Sequence, residues 1–163
     1  MKKVSAKPVS ASRLETTYFV LPEHTNPLGN IFGGTVMSWI DVTAAVVAFR
    51  HCRSLVVTAA MDELHFLHPI KLGDLVTLKA AVNYTSPHSV EVGVKVMAEN
   101  PISGETKHTS SAYLTFVSLN KRGKAQTVTQ VTPVTEEEKR RFTEGKKRRA
   151  LRLERRKYFK QKG

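Results

Sequence analysis

Two rhythms of hydrophobic and polar residues alternate along the chain. "LETTYFVLP", Leu14 to Pro22, has a weak two-residue alternation and many β-branched and aromatic residues, which predicts a strand ending at Pro22. "EHTNPLGN" follows as a loop, with Asn-Pro and Gly-Asn as turn signals. From Gly33 to about His51 the spacing predicts a helix uninterrupted by proline or internal glycine. Apolar residues such as Val36, Ile40, Val42, Val46 and Phe49 spread around most of its circumference, and a helix of that kind belongs inside something. Ala44, Ala45 and Ala48 leave room for a sheet to approach closely.

Four strand-like runs come next: "LVVTAAMDELHF", "DLVTLKAAVNYTS", "SVEVGVKVMAEN" and "TKHTSSAYLTFVSLN". The turns between them are "HPIKLGD", "SPH" and "NPISGE". In the third run Val90, Val92, Val94 and Val96 share one face, while Glu91 and Lys95 share the other. One face is therefore expected to be buried and one wetter, in an antiparallel sheet. Strand, long helix, then four strands on short turns is an α+β order, with the antiparallel sheet curled around the helix.

The ends read differently. Residues 1–12 are small, polar and basic, and are expected to form a flexible arm. Residues 13–124 form the folded domain, and 125–163 a basic, partly helical tail. In the tail, Thr135 and Glu138 make a capping box, and Glu136 and Glu137 suit a helix's positive end. Gly145 is a candidate break, and the few apolar residues predict loose docking at best.

Charge sharpens this division. Of the net +12, the stretch from Thr135 to Gly163 holds 13 Lys/Arg and 5 Glu, or +8, and the rest of the chain +4. With 163 residues, 40% hydrophobic and 25% charged, the chain suits one soluble domain that can gain burial by oligomerising. A lone cysteine, Cys52, cannot form an intrachain disulfide and points to a reducing compartment. "MKKVSAKPVSASR" lacks the apolar stretch of a signal peptide, and no run reaches the roughly 18 apolar residues of a membrane span, so a cytoplasmic location is expected.

Candidate chemistry concentrates in "HTNPLGNIFGGTVMSWIDVTAAVVAF", His24 to Phe49. A carboxylate in an apolar helix is costly unless paired, so Asp41 is either a general base or nucleophile, or a surface acid meeting solvent or a polar neighbour. Gly33 and Gly34 let a ligand approach a helix start, whose free N–H groups can stabilise an oxyanion; the plainer alternative is a tight loop-to-helix turn. Asn26 is the polar loop residue suited to orienting a water or a carbonyl, whereas His24 is more often a turn stabiliser. His65 and His68 lack zinc-ligand spacing with any Cys or His partner, so no metal is expected. The nucleophile-elbow, P-loop and dinucleotide fingerprints are missing.

The same stretch resembles the signature of hotdog-fold acyl-CoA thioesterases, in which a "TN…GxxFGGxxMxxxD" pattern joins the first strand to the central helix. "VTAAMDELHFLHPIKLGD", "VEVGVKVMAENPISGE" and "SAYLTFVSLNKRGK" are similar to the family's later blocks, so the likeness spans Arg13 to Lys124. It implies a hotdog fold, a homodimer joined sheet edge to sheet edge, and further stacking into a trimer of dimers. It also implies hydrolysis of acyl-CoA to a free acid and CoA, with coenzyme A entering as part of substrate and product rather than as a separate cofactor. Asn26 and Asp41 fall on the family's catalytic pair, contributed by different subunits, and the Gly34 N–H on its carbonyl-polarising position. Gly33, with Ser86, His88 and Ser89 in the turn before "VEVGV", is expected to contact CoA, and tail cations to add attraction for its phosphates or for other polyanions. Two departures stand out: His24 occupies a position where relatives often carry an acid, and "SPHS" replaces a basic turn. The competing class is an acyl-CoA-binding or regulatory hotdog protein whose basic tail holds nucleic acid.

Overall fold

The structure, a computed structural model, describes residues 6–162, with side chains described to residue 160. Its frame is a five-stranded antiparallel sheet built from β2 (Leu14–Phe19), β3 (Leu55–Met61), β4 (Leu75–Thr85), β5 (Ser89–Glu99) and β6 (Thr106–Leu119), in the order β2-β4-β5-β6-β3. Helix α1, Gly33–Cys52, packs against all five strands. The sheet curled around a long helix is the hotdog arrangement expected from the element order.

Alternation places the core. Val76, Leu78, Ala80 and Val82 of β4 and Val90, Val92, Val94 and Val96 of β5 point toward α1 and are buried. They meet Val36, Ile40, Ala44, Val47 and Ala48 of the helix, the small alanines permitting close approach. Strand β3 stops at Met61, short of the Phe66 its sequence run reaches, and the irregular segment from Asp62 leads to the Lys71–Asp74 turn. α1 is not buried all round: Met37, Val42 and Phe49 are exposed, Val42 and Phe49 on one side of the helix and Met37 on another. Among the described residues, strand β3 is an unpaired sheet edge in a single chain.

Both chain ends depart from expectation. Of the predicted flexible arm, residues 1–5 lie outside the described residues. The remainder is fixed: β1 (Lys7–Pro8) pairs in parallel with β7 (Val131–Thr132), and Val9 and Ser12 are buried. Lys7 Nζ donates to the His51 carbonyl at 2.7 Å, pinning this segment to the end of α1. "QTVTQVTPVT", expected to lie outside the domain, buries Val128 and Val131, because the Val128 N–H bonds to the Pro87 carbonyl and the segment returns along the sheet's end.

Nor is the tail loosely docked. α2 (Glu136–Lys162) runs unbroken through Gly145 and lies on the sheet face opposite α1. Its capping box forms as predicted, the Glu138 N–H donating to Thr135 Oγ1 and the Thr135 N–H to Glu138 Oε2. Gly145 is required rather than disruptive: a Cβ there would come within 2.8 Å of Tyr84 Cβ and 3.0 Å of Glu91 Oε1. Few apolar groups dock the helix, chiefly Phe142 edge-on to Tyr84. Charge does the rest: Glu91, buried in β5, accepts from Arg148 at 2.7 Å and Arg152 at 3.0 Å, and Arg152 also reaches Asp62 at 2.8 Å.

Candidate active site

The loop before α1 is built to hold one amide. Asn26, Pro27, Leu28 and Gly29 form a turn closed by the Gly29 N–H to the Asn26 carbonyl, with Gly29 at φ +75°, a conformation glycine adopts without strain. The Asn26 side-chain oxygen accepts from the backbone N–H groups of Leu28 (3.0 Å) and Asn30 (3.3 Å). Two donors on Oδ1 fix the orientation of the amide and leave Nδ2 to donate outward, with no acceptor among the described residues. His24 stabilises the turn: its Nδ1 accepts from the Leu21 N–H and its ring stands edge-on to Trp39.

Helix α1 begins without a capping side chain, since Phe32 holds the N-cap position. The Thr35 N–H turns back to the Phe32 carbonyl at 2.9 Å, but among the described residues the N–H groups of Gly33 and Gly34 have no backbone acceptor. Free donors at the positive end of a helix suit a developing oxyanion. The glycines also make room for two rings: a Cβ on Gly34 would meet Phe32 at 2.6 Å and one on Gly33 would meet Phe66 at 3.6 Å.

Asp41 lies two turns further along and is half-buried. Thr58 Oγ1, on the face of β3 turned toward α1, donates to Asp41 Oδ1 at 2.9 Å. The carboxylate is thus held by a neighbouring hydroxyl beside the unpaired sheet edge rather than sealed in a core. Thr58 is the functional candidate that the pattern reading missed. A threonine in a strand reads as a β-former, and only the packing of β3 on α1 gives its hydroxyl a purpose.

The β4–β5 turn does not join this group within one chain. Ser89 pairs with Val117, at the end of the sheet where α1 terminates, so Ser86, His88 and Ser89 lie away from Gly33 and Gly34. Ser86 is buried, with its hydroxyl 2.6 Å from that of Ser89, and His88 is exposed. The tail arginines Arg148 and Arg152 are committed to Glu91 and Asp62. Cys52 offers no nucleophile, because burial pushes its thiol up to about 11. A cleft of about 420 Å³ between α2 and the outer sheet face is lined by Lys79, Lys95, His108 and Arg140 and does not include Asp41.

Comparison with known proteins decides the lineage. Residues 28–105 match the thioesterase superfamily model. A Bacillus subtilis protein described as an uncharacterized acyl-CoA thioester hydrolase is 43% identical over 127 residues, covering 78% of this chain and 74% of that protein. This chain belongs to the hotdog-fold acyl-CoA thioesterases. Among solved members of the family, an apo-hexameric acyl-CoA thioesterase superposes with a TM-score of 0.89 at 41% identity, covering 93% of this chain and 97% of that one. The acyl-CoA hydrolase of Staphylococcus aureus, solved with butyryl coenzyme A, coenzyme A and coenzyme A disulfide, gives a TM-score of 0.90 at 36% identity, covering 96% and 95%. That hydrolase has also been solved with an aspartate, a threonine or an asparagine replaced by alanine. Other thioesterases are longer: the chain spans 25% of mouse acyl-coenzyme A thioesterase 11 and 37% of the mouse cytosolic acyl coenzyme A thioester hydrolase, each at 38% identity. Among the described residues no helix is long and apolar enough to cross a membrane.

Proposed function

We propose that this thioesterase-family chain hydrolyses acyl-CoA to a carboxylic acid and CoA at sites shared between two copies. The observation that carries the reading is the Thr58–Asp41 hydrogen bond at an unpaired sheet edge. It leaves Asp41 Oδ2 available to a water while the hydroxyl fixes the carboxylate's direction. Asp41 takes a proton from the water, and the water oxygen attacks the thioester carbonyl carbon. The carbonyl oxygen, gaining charge, is met by the Gly34 N–H, and Asn26 Nδ2 of the other copy orients water or carbonyl. Collapse of the tetrahedral intermediate breaks the C–S bond, and the CoA thiolate leaves.

The S. aureus substitutions support these roles by spacing. The replaced asparagine and aspartate there are separated by as many residues as Asn26 and Asp41, and the aspartate and threonine by as many as Asp41 and Thr58. Two copies joining at β3 would bring their α1 helices together and place Asp41 in a cleft between them, covering apolar surface left exposed on α1 in one chain. Gly33 lies where the CoA thioester would enter. Of the expected turn contacts, exposed His88 and half-buried Ser89 would reach the CoA phosphates only from a neighbouring copy, while buried Ser86 would act through its hydrogen bond to Ser89, with exposed tail cations adding attraction.

Thiol release from acyl-CoAs of graded length tests the reading. Asp41→Ala and Asn26→Ala should each lose turnover by orders of magnitude while folding normally. Refolded together, the two variants form some heterodimers, each with one site whose Asn26 and Asp41 are both intact, so activity returns on mixing. Full activity in Asp41→Ala sinks the catalytic assignment. No recovery on mixing sinks the shared site.

A further inference from the structure

α2 crosses the outer sheet face in strand order. Phe142 touches Tyr84 of β4, Gly145 sits beside Glu91 of β5, Arg148 stacks 3.7 Å over Tyr113 of β6, and Arg152 bonds Asp62, just past the end of β3. The helix therefore advances toward the free edge of the sheet and continues past it. Arg155, 3.9 Å from Glu63 beyond the end of β3, lies on that course. Phe159 follows Arg152 by seven residues, about 10 Å along the axis, and because helical side chains lean back toward the N-terminus its ring covers the strand position just beyond the edge. Seven residues is also close to two full turns, so Phe159 projects from the sheet-facing side of α2. In a single chain there is no sheet beneath it, and it is 71% exposed.

A matching apolar surface lies at the other end of the same edge. Leu55 opposes Leu119 and Val57 opposes Val117, and these β6 residues share the outer face with Tyr113. Leu55 and Val57 therefore point to the side on which α2 lies, yet this chain's α2 passes the opposite end of β3 and leaves them 60% and 47% exposed.

We propose that α2 reaches across the dimer seam and seats Phe159 on the partner's Leu55 and the partner's Val57. The inference rests on the edge-to-edge dimer proposed above. Two-fold antiparallel pairing of β3 with itself sets the Met61 end of one copy against the Leu55 end of the other. The overhanging turns of α2 then lie above the partner's exposed pair, and symmetry makes the contact twice. The basic tail becomes a clamp holding together the seam at which Asp41 and Thr58 lie.

The test uses the full chain with Cys52→Ala, adding Phe159→Cys and Leu55→Cys separately and together. A short bis-maleimide is applied, and products are read on a denaturing gel alongside native size and thioester hydrolysis. Within one chain Leu55 is about 20 Å of strand away from the Asp62 end, beyond the reagent. The expected result is a covalent dimer in the double-cysteine protein and none in either single variant. A native dimer that never cross-links overturns the clamp and leaves the dimer reading standing. A chain that stays monomeric, with normal secondary structure, overturns both.

Discussion

Thr58 gives the carboxylate of Asp41 a direction. A charged-group hydrogen bond of this kind contributes about 1.5–3 kcal/mol, and the geometry at 2.9 Å is good. Thr58→Val keeps the β-branched shape on the strand and deletes only the donor. If the bond is felt mainly in the transition state, turnover should fall roughly 10- to 100-fold with KM little changed. Steady-state thiol release measures this, and undiminished turnover would show that the hydroxyl does not orient the Asp41 carboxylate for the proposed reaction. The contrast with Asp41 and Asn26 shows what the sequence can carry. An acid in an apolar helix and an Asn-Pro loop are conspicuous against their surroundings and match a family motif. A threonine between Val57 and Ala59 is not, because its partner is 17 residues away on another element.

At the scale of elements, the strands were legible because alternation is imposed by the pleat itself. β5 begins and ends within a residue of its sequence pattern. The same alternation put Glu91 on the correct face and in the wrong environment. It is buried because α2 covers it, and α2 docks through arginines, which a search for apolar stripes does not count. Removing one member of a buried charge group leaves the others unpaired, a loss of about 3–5 kcal/mol. Glu91→Gln should therefore lower stability by about 3 kcal/mol and expose α2 to trypsin between Arg140 and Arg152. Glu137→Gln, which breaks the exposed bond to Arg141, should cost less than about 1 kcal/mol and leave digestion unchanged. Urea unfolding and limited proteolysis of the two variants side by side make the comparison. Equal effects would mean that the Glu91 cluster does not hold the helix.

Closure of the whole molecule converges on His51. It lies fully buried in the last turn of α1, its Nε2 is 2.8 Å from the Thr129 carbonyl of the returning segment, and its own carbonyl accepts from Lys7 of the N-terminal segment. A carbonyl can only accept, so Nε2 carries the proton and Nδ1, without a partner among the described residues, is bare. Burial above all, with nearby Lys7 adding to it, lowers the histidine's pKa below 6.5, against a smaller opposing effect of the Thr129 carbonyl. The folded chain therefore holds His51 neutral where the unfolded chain begins to protonate it. The stability this gives is complete above about pH 6.5 and is lost as pH falls toward the folded value, because the unfolded state then binds more protons. The slope from this group can approach about 1.4 kcal/mol per pH unit. His51→Gln retains an N–H donor for Thr129 and removes the titration. Urea unfolding between pH 7.5 and 5 should show the native chain weakening below pH 6.5 more steeply than this variant. Parallel curves would mean that the joint between α1 and the two returning ends does not depend on a neutral imidazole.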